Sequence, residues 1–276
     1  MSAPTRQRPM VTAEPGDDLP QIRLYVIRCG ELIVYPKSPQ EYHIPVQWYV
    51  LAHPEGNVVI DGGNAPAVAA DPRARWGPIV DVVWPTMTPQ DSCVTKLEEV
   101  GISPDSVKWI VQTHLHHDHT GAMSAIESFP NARVMARRAE YDYARSPDWF
   151  YRPSYVAADF ESDQIAWSFL GETEDGFDLY GDGILKAWRT PGHTPGHQSF
   201  EIKLPESGSV IITGDAVSNA AEWERCGLPP MTVSNTDAAA SVAKLHNIAR
   251  KTDAFVIYSH DGDQWPHHPP LPSFYV

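Results

Sequence analysis

Cysteine is scarce in this sequence, with three residues among 276. Cys29, Cys93 and Cys226 lie far apart, which excludes a disulfide framework and a paired-cysteine metal knuckle and predicts buried or partly buried free thiols. Basic residues are also few, because 21 Lys and Arg stand against 35 Asp and Glu, for a formal net charge of −14. This balance argues against a nucleic-acid partner, since phosphate contacts need a surplus of cations.

Long hydrophobic runs are missing as well. No apolar stretch reaches the length of a membrane span, and residues 1–20 contain no segment typical of a secretory signal. We therefore expect a cytoplasmic protein with no membrane partner. Residues 1–20, rich in proline and polar side chains, predict a flexible tail, and residues 21–276 predict one domain.

Strand-like runs and helical patterns alternate along the rest of the chain. Two β-rich runs flank Cys29-Gly30, and a hairpin follows with its turn at residues 54–57. Further strands are predicted over 107–112, 133–136, 184–189, 198–204, 209–213 and 254–258. Helices are predicted over 91–101, from near His119 to 129, over 137–145, and over 236–251 with a Thr or Asn cap. Two sheets packed face to face with helices outside are the natural arrangement of these elements.

Two stretches have no clear period. Residues 62–90 predict a functional loop or lid, because long irregular segments inside a domain usually have that role. Residues 146–170 are rich in aromatic side chains and predict an insertion. Together these stretches are expected to form the apolar wall of a substrate pocket.

The histidines are concentrated in one place. The sequence THLHHDHTG, which follows the predicted strand 107–112, supplies His114, His116, Asp118 and His119. Residues two apart on an extended segment point the same way, and the next two lie one tight turn later. Histidine nitrogens and carboxylate oxygens are suitable ligands for Zn²⁺ and related metals. The spacing therefore predicts two metal ions side by side, with His117 turned away from them.

Three later residues end apolar runs in the same manner as His114. They are His193 in TPGHTPGH, Asp215 in IITGDA and His260 in VIYSHD. With the four residues above they supply the seven ligands that a binuclear site needs, and Asp215 is the candidate bridge. Asp61 in VVIDGG and His197 are predicted to support the ligands from behind.

The motifs HLHHDHTG, TPGHTPGH, GDA and SHD resemble those of the metallo-β-lactamase superfamily. Within it, the phrases IPVQWYVLAHPEGNVVIDGGNA, DPRARWG, YDYARSPDWF and PGHQSF are most similar to the N-acyl-homoserine lactonase group, including its γ-butyrolactonase-type members. The likeness extends over nearly the whole chain from about Ile22. It implies an α+β fold, the αββα sandwich of two mixed sheets flanked by helices, with two metals, usually zinc, at one edge.

The resemblance also implies a division of the ligands. By position, His114, His116 and His193 would hold the first metal, while Asp118, His119 and His260 would hold the second. Asp215 would bridge the two metals, and an aspartate there favours ester or lactone chemistry over β-lactam hydrolysis. The resemblance further suggests a homodimer.

One position departs from the family pattern. These lactonases typically have a substrate-contacting tyrosine three residues after the bridging aspartate, where this chain has Ser218. Serine is too short to make the same contact, so Tyr151, Tyr155 and Asn219 are further candidates for contacting a small cyclic substrate. The departure casts doubt on acyl-homoserine lactones more than on cyclic esters in general.

The predicted activity is opening of a lactone ring by a metal-bridged hydroxide, with Asp118 as the catalytic residue that passes a proton to the leaving oxygen. Hydrolysis of a cyclic amide or carbamate on the same site is the alternative. A glyoxalase-II-like thioesterase is disfavoured by scattered basic residues, and a superfamily nuclease by the charge. A metal-binding module without activity is the remaining reading.

Overall fold

The computed structural model describes Met10–Val11 and residues 19–276. The strands of these residues, in chain order, are β1 Met10–Val11, β2 Arg23–Val34, β3 Tyr42–Ala52, β4 Asn57–Ile60, β5 Val83–Pro85, β6 Val107–Val111, β7 Arg133–Arg137, β8 Trp167–Leu170, β9 Phe177–Asp178, β10 Leu185–Arg189, β11 Gln198–Leu204, β12 Gly208–Ile212, β13 Phe255–Ile257 and β14 Phe274–Tyr275. The α-helices are α1 Pro72–Trp76, α2 Cys93–Glu99, α3 Gly121–Ser124, α4 Arg138–Arg145, α5 Ala157–Phe160, α6 Ala220–Arg225 and α7 Asn235–Thr252.

The strands form two mixed sheets. Within the described residues the larger sheet has nine strands in the order β1-β14-β2-β3-β4-β6-β7-β8, with β5 paired to β2. The smaller sheet has five in the order β13-β12-β11-β10-β9. Strands β4, β6, β7 and β8 run parallel, as do β12 and β13, whereas the hairpins are antiparallel.

The two sheets share one apolar core, because alternate residues of each strand face inward. Leu24 and Val26 of β2 belong to the same buried cluster as Phe200 and Ile202 of β11. Helices cover the outer faces: Leu97 of α2 packs against the larger sheet, and α7 contributes to a cluster on the smaller one. The predicted αββα sandwich is confirmed.

Strand ends bring the predicted ligands to one edge. His114, Asp215 and His260 each lie three residues beyond a strand, after β6, β12 and β13 respectively. The parallel pairing of β12 with β13 aligns their carboxyl ends. Loops at such ends hold reactive groups on a rigid frame.

Several predicted elements differ in detail. The two runs around Cys29-Gly30 form one strand, β2, with an irregularity between Arg28 and Glu31. The helix expected from His119 is short, since residues 116–119 form a turn closed by the His119 N–H bond to the His116 carbonyl at 3.0 Å. Helix α7 is capped by Ser234, whose side chain accepts a hydrogen bond from the Asp237 N–H.

The two stretches without a period contain regular structure. Residues 62–90 include α1 and β5, and residues 146–170 include α5 and β8, which is the end strand of the larger sheet. These elements are so short that their pattern of apolar and polar residues does not predict them from the sequence. Of the aromatic residues in the second stretch, Phe160 is buried, whereas Trp149 is 80% exposed.

Of the predicted tail, only Met10, Val11, Leu19 and Pro20 are among the described residues, and Met10 and Val11 pair with Tyr275 and Phe274. Two cysteines are buried as expected, but Cys226 is exposed, because it ends α6 at the surface in a left-handed conformation. Among the described helices, none is both long and apolar enough to cross a membrane.

Candidate metal centre

The seven predicted ligands come together in the structure. Their side chains are at most 11% exposed, and candidate ligand atoms lie within 4.8 Å of one another in three groups. The groups are His114, His116 and His193; His114, His119 and Asp215; and Asp118, His119 and His260.

Asp215 stands between two sets of histidines and directs a different oxygen to each. Its Oδ2 lies 3.5 Å from His193 Nε2 and 3.9 Å from His114 Nε2. Its Oδ1 lies 3.3 Å from His260 Nε2 and 3.5 Å from His119 Nε2. A carboxylate in this position can serve two cations at once.

The ring nitrogens of the first group are arranged for a shared cation. His116 Nδ1 lies 3.0 Å from both His114 Nε2 and His193 Nε2. Nδ1 of a neutral ring carries either one proton or one lone pair, so it completes a full hydrogen bond with only one of these two rings, and a cation shared by the three nitrogens would account for both contacts. Although they lie close to other candidate atoms, His119 Nε2 and Asp215 Oδ1 are buried without a well-aligned hydrogen bond to any described residue. Nitrogen and oxygen donors of this kind fit divalent metal ions.

From here on, the first group is His114, His116 and His193 and the second group is Asp118, His119 and His260. The pKa values of their histidines are shifted in opposite directions. Burial lowers the pKa of His114, His116 and His193, and the neighbouring imidazoles lower it further. These three rings are therefore neutral and ready to bind a metal.

The second group has carboxylate neighbours. Burial also opposes charge on His119, but the carboxylates of Asp118 and Asp215 outweigh it and raise the pKa of His119 to about 10. The pKa of His260 is raised in the same way, mainly by Asp215. The pKa values of both aspartates are lowered because these imidazoles outweigh burial.

Asp61 supports the second group from behind, in the position that the sequence predicted. Its carboxylate accepts hydrogen bonds from the Thr113 N–H at 2.7 Å and the Thr113 hydroxyl at 2.9 Å, and lies 2.9 Å from His119 Nδ1. The backbone of Asp61 has a φ of 65°, a left-handed conformation that Asp tolerates better than most residues. The carboxylate fixes the His119 ring so that Nε2 faces the centre.

His197 supports Asp215, the candidate bridging residue. Burial lowers its pKa to about 3, so the ring is neutral. Its Nδ1 lies 3.0 Å from the Thr190 carbonyl, and its Nε2 accepts the Asp215 N–H at 2.9 Å. The turn before it needs Gly192, because a Cβ there would lie 2.4 Å from the Ala238 backbone and φ is 142°. This close approach aims His193 inward.

The other named residues vary in their distance from the centre. The His117 ring stacks on Trp76 at 4.2 Å, and His117 belongs to none of the three candidate groups. Ser218 is adjacent, since its carbonyl accepts the His260 N–H at 3.1 Å. The Tyr155 ring lies 4.8 Å from that of His116.

Two further residues have other contacts. Tyr151 packs on Phe150 at 4.6 Å, and among the described residues it has no hydrogen bond or ring contact with the seven candidates. Asn219 caps α6 through the Glu222 N–H, which occupies its side-chain oxygen. These contacts do not place either side chain at the ligands.

Sequence reasoning missed Glu140 on α4. This carboxylate is 1% exposed and accepts hydrogen bonds from the Leu115 N–H and the Thr194 hydroxyl, which flank predicted ligands. The one available signal is that Glu140 and the buried Ala144 are four residues apart and so share a helix face. An acidic residue on a buried face requires hydrogen-bond partners.

Comparison with known proteins gives consistent results. The family model described as the metallo-beta-lactamase superfamily matches residues 43–260. The N-acyl homoserine lactonase AttM of Agrobacterium fabrum is 44% identical over 263 residues, covering 92% of this chain and 99% of the relative. An N-acyl homoserine lactonase of Bacillus thuringiensis is 29% identical over 250 residues, covering 88% and 94%.

A solved structure is similar along almost the whole chain. It is an N-acyl homoserine lactone hydrolase with the product N-hexanoyl-L-homoserine bound at its catalytic metal centre. The TM-score is 0.79 at 25% identity, and the match covers 91% of this chain and 98% of that one. With the family model matching most of the chain, this protein belongs to the metallo-β-lactamase superfamily.

Proposed function

We propose that this protein is a metal-dependent hydrolase that opens a lactone ring, of the N-acyl-homoserine lactone or γ-butyrolactone type, with two zinc ions. The observation that carries the proposal is Asp215, whose two oxygens face separate groups of histidines. The lactonase names of relatives that are 43–44% identical over nearly their whole length support the choice of substrate.

The proposed ligand roles follow the two groups. His114, His116 and His193 would hold the first metal, Asp118, His119 and His260 would hold the second, and Asp215 would contribute to both. When bound, two divalent ions supply Lewis acidity and lower the pKa of water towards neutrality.

The chain's own part in the reaction is proton transfer and orientation. Hydrolysis adds water across the ring ester, so the acyl carbon gains an oxygen and the ring oxygen leaves with a proton. Asp118 is proposed to accept the proton from water and pass it to the leaving oxygen, because its carboxylate lies among the candidate ligand atoms, with Oδ2 3.7 Å from His260 Nε2 and 3.8 Å from His119 Nε2. Its Oδ1 lies 3.3 Å from His117 Nδ1, which limits its rotation.

Substrate contacts are proposed for Ser218, Tyr155 and Tyr151. Ser218 is held beside His260, but its hydroxyl is shorter than the phenol typical of the family. Tyr155 is closer to the first group, and its phenol donates to Glu140 Oε1 at 3.4 Å. Burial strongly raises the pKa of Tyr155, so this phenol stays protonated, and with its proton directed to Glu140 its oxygen can accept a hydrogen bond.

The short side chain of Ser218 also favours a second candidate, hydrolysis of a cyclic amide or carbamate. A nitrogen leaving group needs a proton more urgently than an alkoxide does, so the Asp118→Asn variant separates the two. The variant should lose more activity on a cyclic carbamate than on a lactone if both are substrates.

A substrate panel under one assay tests the proposal. Initial rates are measured for γ-butyrolactone, N-hexanoyl-homoserine lactone, an aryl cyclic carbamate and S-lactoylglutathione. We expect the lactones to be hydrolysed fastest, chelation to abolish the activity, and added zinc to restore it. Equal rates in the metal-free and metallated protein would refute the metal-dependent function. Faster hydrolysis of S-lactoylglutathione than of the lactones would refute a lactone as the preferred substrate.

Three further expectations stay proposals on the same basis. They are one domain over residues 21–276, a homodimer, and a cytoplasmic location. Sedimentation of the purified chain checks the dimer, since a monomer at all accessible concentrations would contradict it.

A further inference from the structure

Glu140 joins two loops that are far apart in the sequence. Its Oε1 accepts the Leu115 N–H at 3.0 Å, and its Oε2 accepts the Thr194 hydroxyl at 2.5 Å and the Gly196 N–H at 3.2 Å. The backbone of Gly196 packs directly against α4, because a Cβ on Gly196 would lie 2.1 Å from the Glu140 nitrogen. One carboxylate therefore sets the separation of both loops.

These two loops carry one half of the candidate centre. Leu115 lies between His114 and His116, and Thr194 follows His193. Hydrogen bonds from Leu115 and Thr194 to one rigid acceptor fix the backbone of the three-histidine group. We call the place where the Glu140 carboxylate connects these two loops the junction. His116 and His193 lie on opposite sides of it, with His116 Nδ1 3.0 Å from His193 Nε2.

The other half has a different support. Among the described residues, the hydrogen bonds of the Glu140 carboxylate go to Leu115, Tyr155, Thr194 and Gly196, and none goes to Asp118, His119 or His260. His119 is instead oriented by Asp61 at 2.9 Å, and His260 Nδ1 by the Pro45 carbonyl at 2.9 Å. Each half of the centre therefore has its own buried carboxylate.

We propose that Glu140 is a positioning residue that prepares the first metal site selectively, while the second metal site depends on Asp61. This inference rests on the two-metal centre of the proposed function. Two acceptor oxygens are needed, because the Leu115 donor and the Thr194 and Gly196 donors bind different oxygens. A glutamine retains only one acceptor, and its NH₂ group would meet N–H and O–H donors at the other position.

Metal titration of the Glu140→Gln variant tests the proposal. Metal-free wild type and variant are titrated with Co²⁺ or Zn²⁺, and bound metal per chain is measured after removal of the free ion. Wild type should bind two equivalents. The variant should bind one equivalent as tightly as wild type and the other about 10- to 100-fold more weakly, the range typical of groups that orient metal ligands.

Two controls separate positioning from general stability. Asp142→Asn changes an exposed acid on the same helix whose partner among the described residues is Arg138, and should leave both sites unchanged. Thr194→Val removes one hydrogen bond from the far side of the same junction. It should weaken the same site by a smaller factor, and it keeps the test valid if Glu140→Gln does not fold.

The outcomes are distinguishable. If wild type binds two metals and Glu140→Gln or Thr194→Val binds both unchanged, or loses both equally with a lower melting temperature, the positioning role is overturned. If wild type itself fails to bind two equivalents, the two-metal centre of the proposed function is overturned, and the selective role with it. Selective loss of one site, with the Co²⁺ absorption of the other retained, supports the proposal.

Discussion

The two halves of the centre contain the same kind of side chain with pKa values shifted in opposite directions. In the half formed by His114, His116 and His193, burial and mutual repulsion lower the pKa values, and the rings are neutral. In the other half, carboxylates raise the pKa values of His119 and His260. Asp215 also lies 3.5 Å from His193, but burial outweighs this single carboxylate there, whereas Asp118, Asp215 and Asp61 together outweigh burial at His119. The direction of the pKa shift therefore depends on the balance between burial and the nearby carboxylates.

This difference has a consequence for metal binding. A ligand histidine must be neutral, so the first half accepts a metal without releasing protons, whereas the second must release them. Asp215 faces both halves and links their electrostatics.

Removing the charge of Asp215, which faces both halves, should have the largest effect on metal binding and activity. Asp215→Asn keeps the shape of the side chain but removes the charge that both halves share. We expect loss of bound metal and a fall in kcat/KM of about 1000-fold, or about 4 kcal/mol, consistent with the several kcal/mol that metal catalysis supplies. Metal analysis and lactone kinetics check this together.

The matched control for that variant is Asp263→Asn, an exposed acid near His260 in the sequence. It should leave metal content and kinetics unchanged. An Asp215→Asn protein with full metal and full activity would remove the bridging role and the comparison of two linked halves.

Asp61→Asn should affect one half more than the other. Asparagine tolerates the left-handed backbone at this position, so the change is confined to the carboxylate that holds His119 Nδ1. We expect one of the two metals to bind about 10- to 100-fold more weakly, as for other groups that orient metal ligands. Competition with a chelator of known affinity measures it. If binding is weakened equally at both metal sites, the two halves are not supported separately.

A buried histidine away from the centre isolates the effect of burial. His268 lies against Tyr275, with Nδ1 3.1 Å from its hydroxyl, and burial lowers its pKa from 6.5 to about 4, weakly opposed by Asp261. Because the unfolded chain binds this proton first as the pH falls, stability is lost between about pH 6.5 and pH 4. From pH 7 to pH 5 the loss from this group is about 2 kcal/mol.

Urea unfolding of the metal-free protein at the two pH values measures that loss. His268→Gln should show a smaller decrease in unfolding free energy than wild type, whereas His267→Gln, at the exposed neighbouring position, should show the same decrease as wild type. If both variants follow wild type, burial alone does not account for the neutral half of the centre.

Much of this centre could be predicted from the sequence. The seven candidate ligands come together in the structure, and Asp61 and His197 contact them as expected. Asp61, His114, Asp215 and His260 each follow an apolar strand, and a strand end is a local feature that hydrophobic patterning reveals. Details that depend on contacts were wrong or missed: β8 is part of the larger sheet, Cys226 is exposed, and Glu140 was overlooked.

By itself the sequence predicted the candidate ligands, because the spacing HxHxDH brings four of them into one short loop and His193, Asp215 and His260 each stand in a short motif of their own. The tertiary structure alone decided what holds and charges those ligands. Asp61 reaches His119 across 58 positions, and Glu140 reaches Thr194 across 54. Hydrogen bonds between such distant residues form only once both sheets have packed, because no local propensity brings these side chains together.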